Sequence, residues 1–229
     1  MWRRNPTIRG LSIVELLVGI AVGLFILAGA TLVTSNQLSD NRLLLLETQM
    51  QQDLRTTADL IAREVRRSGY WGKAATTTWG ASVVPNMYQS FDKSAGSGGR
   101  DDEVTFSYSK ALSSAAENGV SDPDEKFGFA LNSASGTIES LVGAAGWQAL
   151  TDSNVMRVTQ FDMTPNEQVL VVPCANPCAG GGTACWPRQK VRDVTIQITG
   201  QAVHDATVVR SVRSGVRLRN DDVTGACPP

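Results

Sequence analysis

Between Glu15 and Asp40 the chain carries no charged side chain, and between Ser35 and Ser68 it has neither proline nor glycine. It has one histidine, His204, and no internal repeat. Each absence removes a class of protein. A hydrolase needs a nucleophile and a base within hydrogen-bond reach, and His204 stands in a polar loop beside Asp205 with no G-x-S-x-G elbow anywhere in the chain. That setting reads as solvated surface, and the chain as non-enzymatic. The glycine run Ala95-Gly96-Ser97-Gly98-Gly99 lacks the Lys-Ser or Lys-Thr pair that a phosphate loop requires, so it reads as a flexible turn. The cysteines are spaced C-x3-C-x6-C with a distant fourth, without the paired C-x2-C and histidine ligands of a zinc module. The net charge of −1 gives no global attraction to nucleic acid. No cofactor is implied.

What is present begins with Arg9-Gly10-Leu11-Ser12-Ile13-Val14-Glu15 and the apolar run after it. Leu16 to Val33 is long enough for a transmembrane helix, which takes about 18 or more apolar residues. Arg3, Arg4 and Arg9 precede it. Basic flanks stay cytoplasmic, so the rest of the chain is expected outside the inner membrane. Glu15 is costly near such a segment, roughly 2.5–3.5 kcal/mol if carried to the bilayer centre, and an acid there is a functional-site candidate that needs a partner. A secretory signal cleaved near Ala28-Gly29-Ala30 fits less well. Its apolar region would exceed the usual ~7–15 residues and would contain an acid.

At these residues the chain resembles the type IV prepilin family: a short basic leader, a glycine, a cleavage point, then an apolar stretch with glutamate at its fifth position. The family usually has Phe where this chain has Leu11. The resemblance implies cleavage between Gly10 and Leu11 by prepilin peptidase, N-methylation of Leu11, and a role for Glu15 in pairing subunits and setting their register. It also implies other minor pilins, a major pilin, the pilus assembly platform and inner-membrane lipid as partners. Gly19 and Gly23 form a G-x-x-x-G spacing that lets apolar helices approach closely, although glycine is also simply common in membrane helices. Pilin helices bundle in a filament core, which favours the packing role.

The expected organisation is a leader over 1–10, a membrane and filament-core helix over 11–34, its amphipathic continuation over 35–69, and an extracytoplasmic head over 70–229. In the continuation, Leu43, Leu46, Met50, Leu54, Ala58, Ile61 and Val65 recur every three or four residues, one stripe on one helix face. Arg66 and Arg67 suit the last turn, and Gly69 offers the cap. A helix from Ser12 to Ser68 would be about 85 Å long at 1.5 Å per residue. Arg66-Arg67-Ser68-Gly69-Tyr70-Trp71-Gly72 and the ending Val216-Arg217-Leu218-Arg219-Asn220 are similar to minor pilins of the PilW type.

From Tyr70 onward 13 Lys and Arg face 16 Asp and Glu, a net charge of −3. Residues 72–100 read as loop-rich. Alternation predicts strands at Val104–Tyr108, Phe127–Leu131 and Thr137–Val142, with Asn132–Gly136 as the hairpin turn. It predicts Val155–Met163 with a phase slip between Val158 and Phe161 that marks a bulge. Val169–Val172, Val194–Ile198 and Arg210–Leu218 follow. Strands after one long helix predict α+β with an antiparallel sheet. Cys174, Cys178, Cys185 and Cys227 would form two disulfides in an oxidising compartment, and three pairings are open. Asp122, Asp124 and Glu125 lack calcium-loop spacing and read as a solvated turn. Arg213, Arg217 and Arg219 share a strand face without interleaved aromatics, and read as an exposed face or inter-subunit ion pairs rather than a nucleic-acid site. The functions weighed are a minor pilin, a minor pseudopilin of type II secretion, a DNA-uptake pilin and a membrane-anchored enzyme.

Overall fold

The computed structural model describes residues 10, 12–77, 84–111 and 116–229. The chain divides into two units, Met1–Leu46 and Glu47–Pro229. In the first unit the described residues belong almost wholly to helix α1 (Ile13–Arg67), and every described side chain up to Leu45 is exposed.

In the second unit the end of α1 supplies Met50, Leu54, Ala58, Ile61, Ala62 and Val65 to a core. The amphipathic stripe is therefore real from Met50 onward, whereas Leu43 stays exposed. Two antiparallel sheets close on this face, so the architecture is α+β: one long N-terminal helix packed against antiparallel sheets. The first is a meander of β1 (Phe91–Ser94), β2 (Glu103–Ser107), β3 (Lys126–Asn132), β4 (Thr137–Val142) and β5 (Trp147–Ala149). A four-residue helix, α2 (Ala74–Thr77), precedes it. The second sheet is β6 (Met156–Val171), β7 (Arg188–Ala202) and β8 (Val209–Arg217), with β9 (Asp222–Thr224) also paired to β7.

The alternation of Val104 and Phe106, of Phe127 and Phe129, and of Val194, Ile196 and Ile198 places these side chains in the core. Phe106 stacks within reach of Phe91, Tyr108, Phe127 and Phe129, with ring centroids 5.9–6.5 Å apart. Aromatic pairs at such spacings add to their burial energy. Gly200 on β7 marks the close approach of α1: a Cβ there would stand 3.1 Å from Met156 Sδ and 3.5 Å from Leu54 Cδ2.

Two readings are corrected and the expected bulge is found. The loop-rich stretch contains β1, whose short FDKS sequence carries no alternation signal. Val155–Met163 and Val169–Val172 are one strand, β6, running through Pro165. Proline is tolerated there because β6 is an edge strand with no ladder on its outer side. The phase slip is a bulge, since the register to β7 shifts between Val158 and Gln160.

Candidate functional site

The N-terminal residues that carry the prepilin pattern lie in the first unit. Leu11 and the leader over 1–9 fall outside the described residues. Gly10 is exposed, and Glu15 is the acid of the first turn of α1. A carboxylate is favoured there by the positive end of the helix dipole. Gly19 and Gly23 lie on open helix surface, where an added Cβ would meet nothing within 4 Å beyond its own turn of helix. The first unit's own packing therefore gives no reason for either glycine. Among the described residues α1 is the one helix long and apolar enough to cross a membrane.

The end of α1 is tied down in the second unit. Gly69 has φ +75°, the left-handed conformation that ends helices and that glycine adopts without a Cβ penalty. Four carbonyls at and just past the end of the helix are taken by the head. Arg66 O accepts from Arg219 N at 3.2 Å. Arg67 O and Ser68 O accept from Asn220 Nδ2 at 3.2 and 3.0 Å. Gly69 O accepts from Asn86 Nδ2 at 2.8 Å. Arg192, 8 % exposed, donates to Gln89 O at 2.5 Å, to Gln89 Oε1 and to Asn220 O at 3.4 Å. Burial pulls its pKa below the usual arginine range, against the attraction of Asp222, Glu167 and Asp221. Sequence reading singled out the Arg219-Asn220 ending but not its task, which is to cap a helix that ends more than 150 residues earlier.

A second buried polar group is drawn from the segments that precede β1 and β3. The Tyr88 hydroxyl lies 3.1 Å from Glu117 Oε1, 2.9 Å from Glu125 Oε2 and 3.1 Å from Val120 O. Burial, then the two carboxylates, push the phenol well above its ordinary range. For Glu117, burial opposes the charge, but hydrogen bonds from Ser109, Gly119, Gly72 and Tyr88 outweigh it and hold the pKa low. No motif announces this group.

The three acids read as one solvated turn separate. Asp122 accepts from Asn118 at 2.7 Å, Asp124 pairs with Lys110 at 3.2 Å, and Glu125 is buried against Tyr88 and the Lys110 and Asp122 amides. Among the described residues no group of three His, Cys, Asp or Glu could hold a metal ion. His204 is exposed, and the Asp205 carboxylate beside it accepts from the Thr207 amide and hydroxyl at 3.0 and 2.6 Å. Arg213, Arg217 and Arg219 are exposed, and Arg217 pairs with Asp221 at 3.2 Å. The disulfides are Cys174–Cys227 and Cys178–Cys185, with Cα atoms 5.6 and 5.7 Å apart. The first fastens the β6–β7 connection to the C-terminal segment, and the second closes a short loop within that connection.

A long apolar-to-amphipathic helix whose end carries an antiparallel head is the build of a pilin-like protein. The sequence model of the family described as prepilin peptidase-dependent protein B matches residues 43–218, more than three-quarters of the chain, and the chain belongs to this type IV pilin-related family. The match starts beyond Gly10, Leu11 and Glu15 and takes in the head from the second half of α1 through the last residue of the core. No curated protein and no solved structure matches the chain. The family and the apolar helix fit a membrane-anchored protein.

Proposed function

We propose that this protein is a minor pilin of the PilW type, incorporated into type IV pili or priming their assembly, with no catalytic role. The observation that carries this reading is the match of residues 43–218, most of the head, to a prepilin peptidase-dependent family in a chain whose N-terminus has the glycine, apolar run and fifth-position glutamate of a prepilin. The peptidase cuts between Gly10 and Leu11, and Leu11 is then N-methylated. The freed α-amino group has a reference pKa of about 7.7–8.0 and is charged near neutrality. Glu15 lies four residues further along the sequence, a separation of about 6 Å at helical rise. Burying either charge in a core of stacked helices is costly unless the other meets it. A neighbouring subunit offset by about that rise brings its amine to this carboxylate. The pair neutralises both groups and sets the axial register, while Gly19 and Gly23 let the helices approach. The basic leader keeps the N-terminus cytoplasmic, and the head is periplasmic before assembly and at the cell surface after it.

Deletion of the gene tests the reading, with surface pili and secreted enzymes scored in the same strain. Loss of pili with secretion intact, restored by the wild-type gene, is expected. Normal pili with failed secretion would reassign the chain to the pseudopilus of type II secretion.

A further inference from the structure

Where α1 ends, the head holds an open cleft of about 610 Å³. Four cations line it, Arg66, Arg67, Lys110 and Arg219, together with the rings of Tyr70 and Tyr108. This concentration stands on a head whose net charge is −3. Two of the cations are fixed by the head itself. Arg67 lies 4.2 Å above the Tyr108 ring and 3.4 Å from Glu64, and Lys110 pairs with Asp124. The side chains of Arg66 and Arg219 have no ion-pair partner among the described residues, although their main chains hydrogen-bond to each other.

A helix C-terminus ordinarily repels anions, because its last carbonyls carry the negative end of the dipole. Here those carbonyls are occupied by Arg219 N, Asn220 Nδ2 and Asn86 Nδ2. The cleft therefore presents guanidinium groups to an incoming anion without bare carbonyls beside them. Guanidinium forks suit carboxylates, which they can hold in two parallel hydrogen bonds, and Tyr70, 38 % exposed, offers a ring against which a peptide backbone can lie.

The surroundings select among anions. A nucleic-acid track would need cations repeated beyond the cleft. The nearest continuation is Arg217, which is paired with Asp221 and lies across the ladder from Asp193. The net negative head also repels a polyanion at long range. A short acidic segment places its few charges in the cleft and little elsewhere.

We propose that this cleft is a docking site for an acidic peptide segment presented by a neighbouring subunit, with Arg66 and Arg219 as the cations that receive its carboxylates. The identity of the presenter rests on the pilus reading above, but the binding chemistry does not. The test is a fluorescence-anisotropy titration of the full-length protein in detergent micelles. The probes are a labelled oligoglutamate, an oligoglutamine of equal length and a single-stranded oligodeoxynucleotide. Oligoglutamate binding that weakens as salt rises, with no oligoglutamine binding, is expected. Arg66→Gln and Arg219→Gln keep the main-chain bonds and should each weaken it about tenfold, the scale of one charge-assisted hydrogen bond. Arg213→Gln, an exposed arginine of β8 outside the cleft, should leave it unchanged, and melting curves of all three should match the parent. Equal binding of the two peptides, tighter binding of the oligodeoxynucleotide, or an Arg213→Gln loss as large as the others would each overturn the proposal. If Arg66→Gln alters the melting curve, Arg219→Gln and Lys110→Gln decide the same question. Failure of this assay leaves the deletion phenotype as a separate test of the pilus reading.

Discussion

Tyr88 shows how a residue without a motif can matter to the head. Its ring is fully buried and its hydroxyl stands between two buried carboxylates. The pH dependence of stability follows from such groups. The pKa values of Glu117, Glu103 and Asp162 are lowered in the folded chain. For Glu117 and Glu103 burial opposes the charge but is outweighed by hydrogen bonds, with Arg100 and Ser97 as the donors to Glu103, whereas Lys93 leads for Asp162. A depressed carboxylate stabilises the fold above its unfolded pKa of about 4, and this is lost as pH falls through the lowered value. Tyr88 and Tyr108 are raised, chiefly by burial and then by hydrogen bonds to carboxylates. Their contribution is complete below about pH 10 and is lost as pH rises through the raised values. Thermal midpoints should therefore hold between about pH 5 and 9 and fall at both ends. Tyr88→Phe should cost about 1–3 kcal/mol at neutral pH and flatten the alkaline fall, and an alkaline limb identical to the parent's would contradict this. The cysteines give a second prediction at this scale. The 53-residue separation closed by Cys174–Cys227 corresponds to roughly 4 kcal/mol of chain entropy, and the 7-residue separation of Cys178–Cys185 to about 2 kcal/mol. Replacing the first pair by serine should lower the melting temperature more than replacing the second, and the opposite ranking would refute the assigned roles.

Among the elements, the junction of α1 with the C-terminal segment is the most exacting. Asn220→Ala leaves Ser68 O without its side-chain donor and Arg67 O with the Tyr70 amide alone, a loss of about 1–2 kcal/mol. Asn220→Asp should be worse, because it adds negative charge at the negative end of a helix. Denaturant midpoints in the order parent, Ala, Asp are expected; an aspartate variant as stable as the alanine one would show that the cap is not electrostatic. This junction also marks how far the sequence could be read. The helix was legible because Met50, Leu54, Ala58, Ile61 and Val65 keep one period and Gly69 ends it. The β3–β4 hairpin was legible from its alternation and its Asn132–Gly136 turn. β1 and β9 were not, since each is a short segment defined by its neighbour in the ladder. The continuity of β6 through Pro165 was hidden because a proline reads as a break until the strand is known to be an edge. The Tyr88–Glu117–Glu125 group and the Arg66–Arg219 pairing join residues that are distant in sequence, and no local pattern reports such contacts.

For the molecule as a whole, the proposed pilin role gives the membrane-type half of the helix and the disulfide-tied head separate tasks, with Glu15 serving the first. Glu15→Gln removes a charge at nearly constant volume, so membrane insertion and cleavage should continue. Incorporation into sheared pili should fall sharply if the carboxylate meets a neighbour's amine, and recovery at parental levels would remove Glu15 from the register. The processing and assembly of the chain are tested together by one measurement, the intact mass of the protein recovered from sheared surface filaments. The account predicts a chain that begins at Leu11, carries one N-methyl group, and retains both disulfides. A chain in that fraction that begins at any other residue would contradict it, as would a protein found only in the membrane fraction of a strain that bears pili.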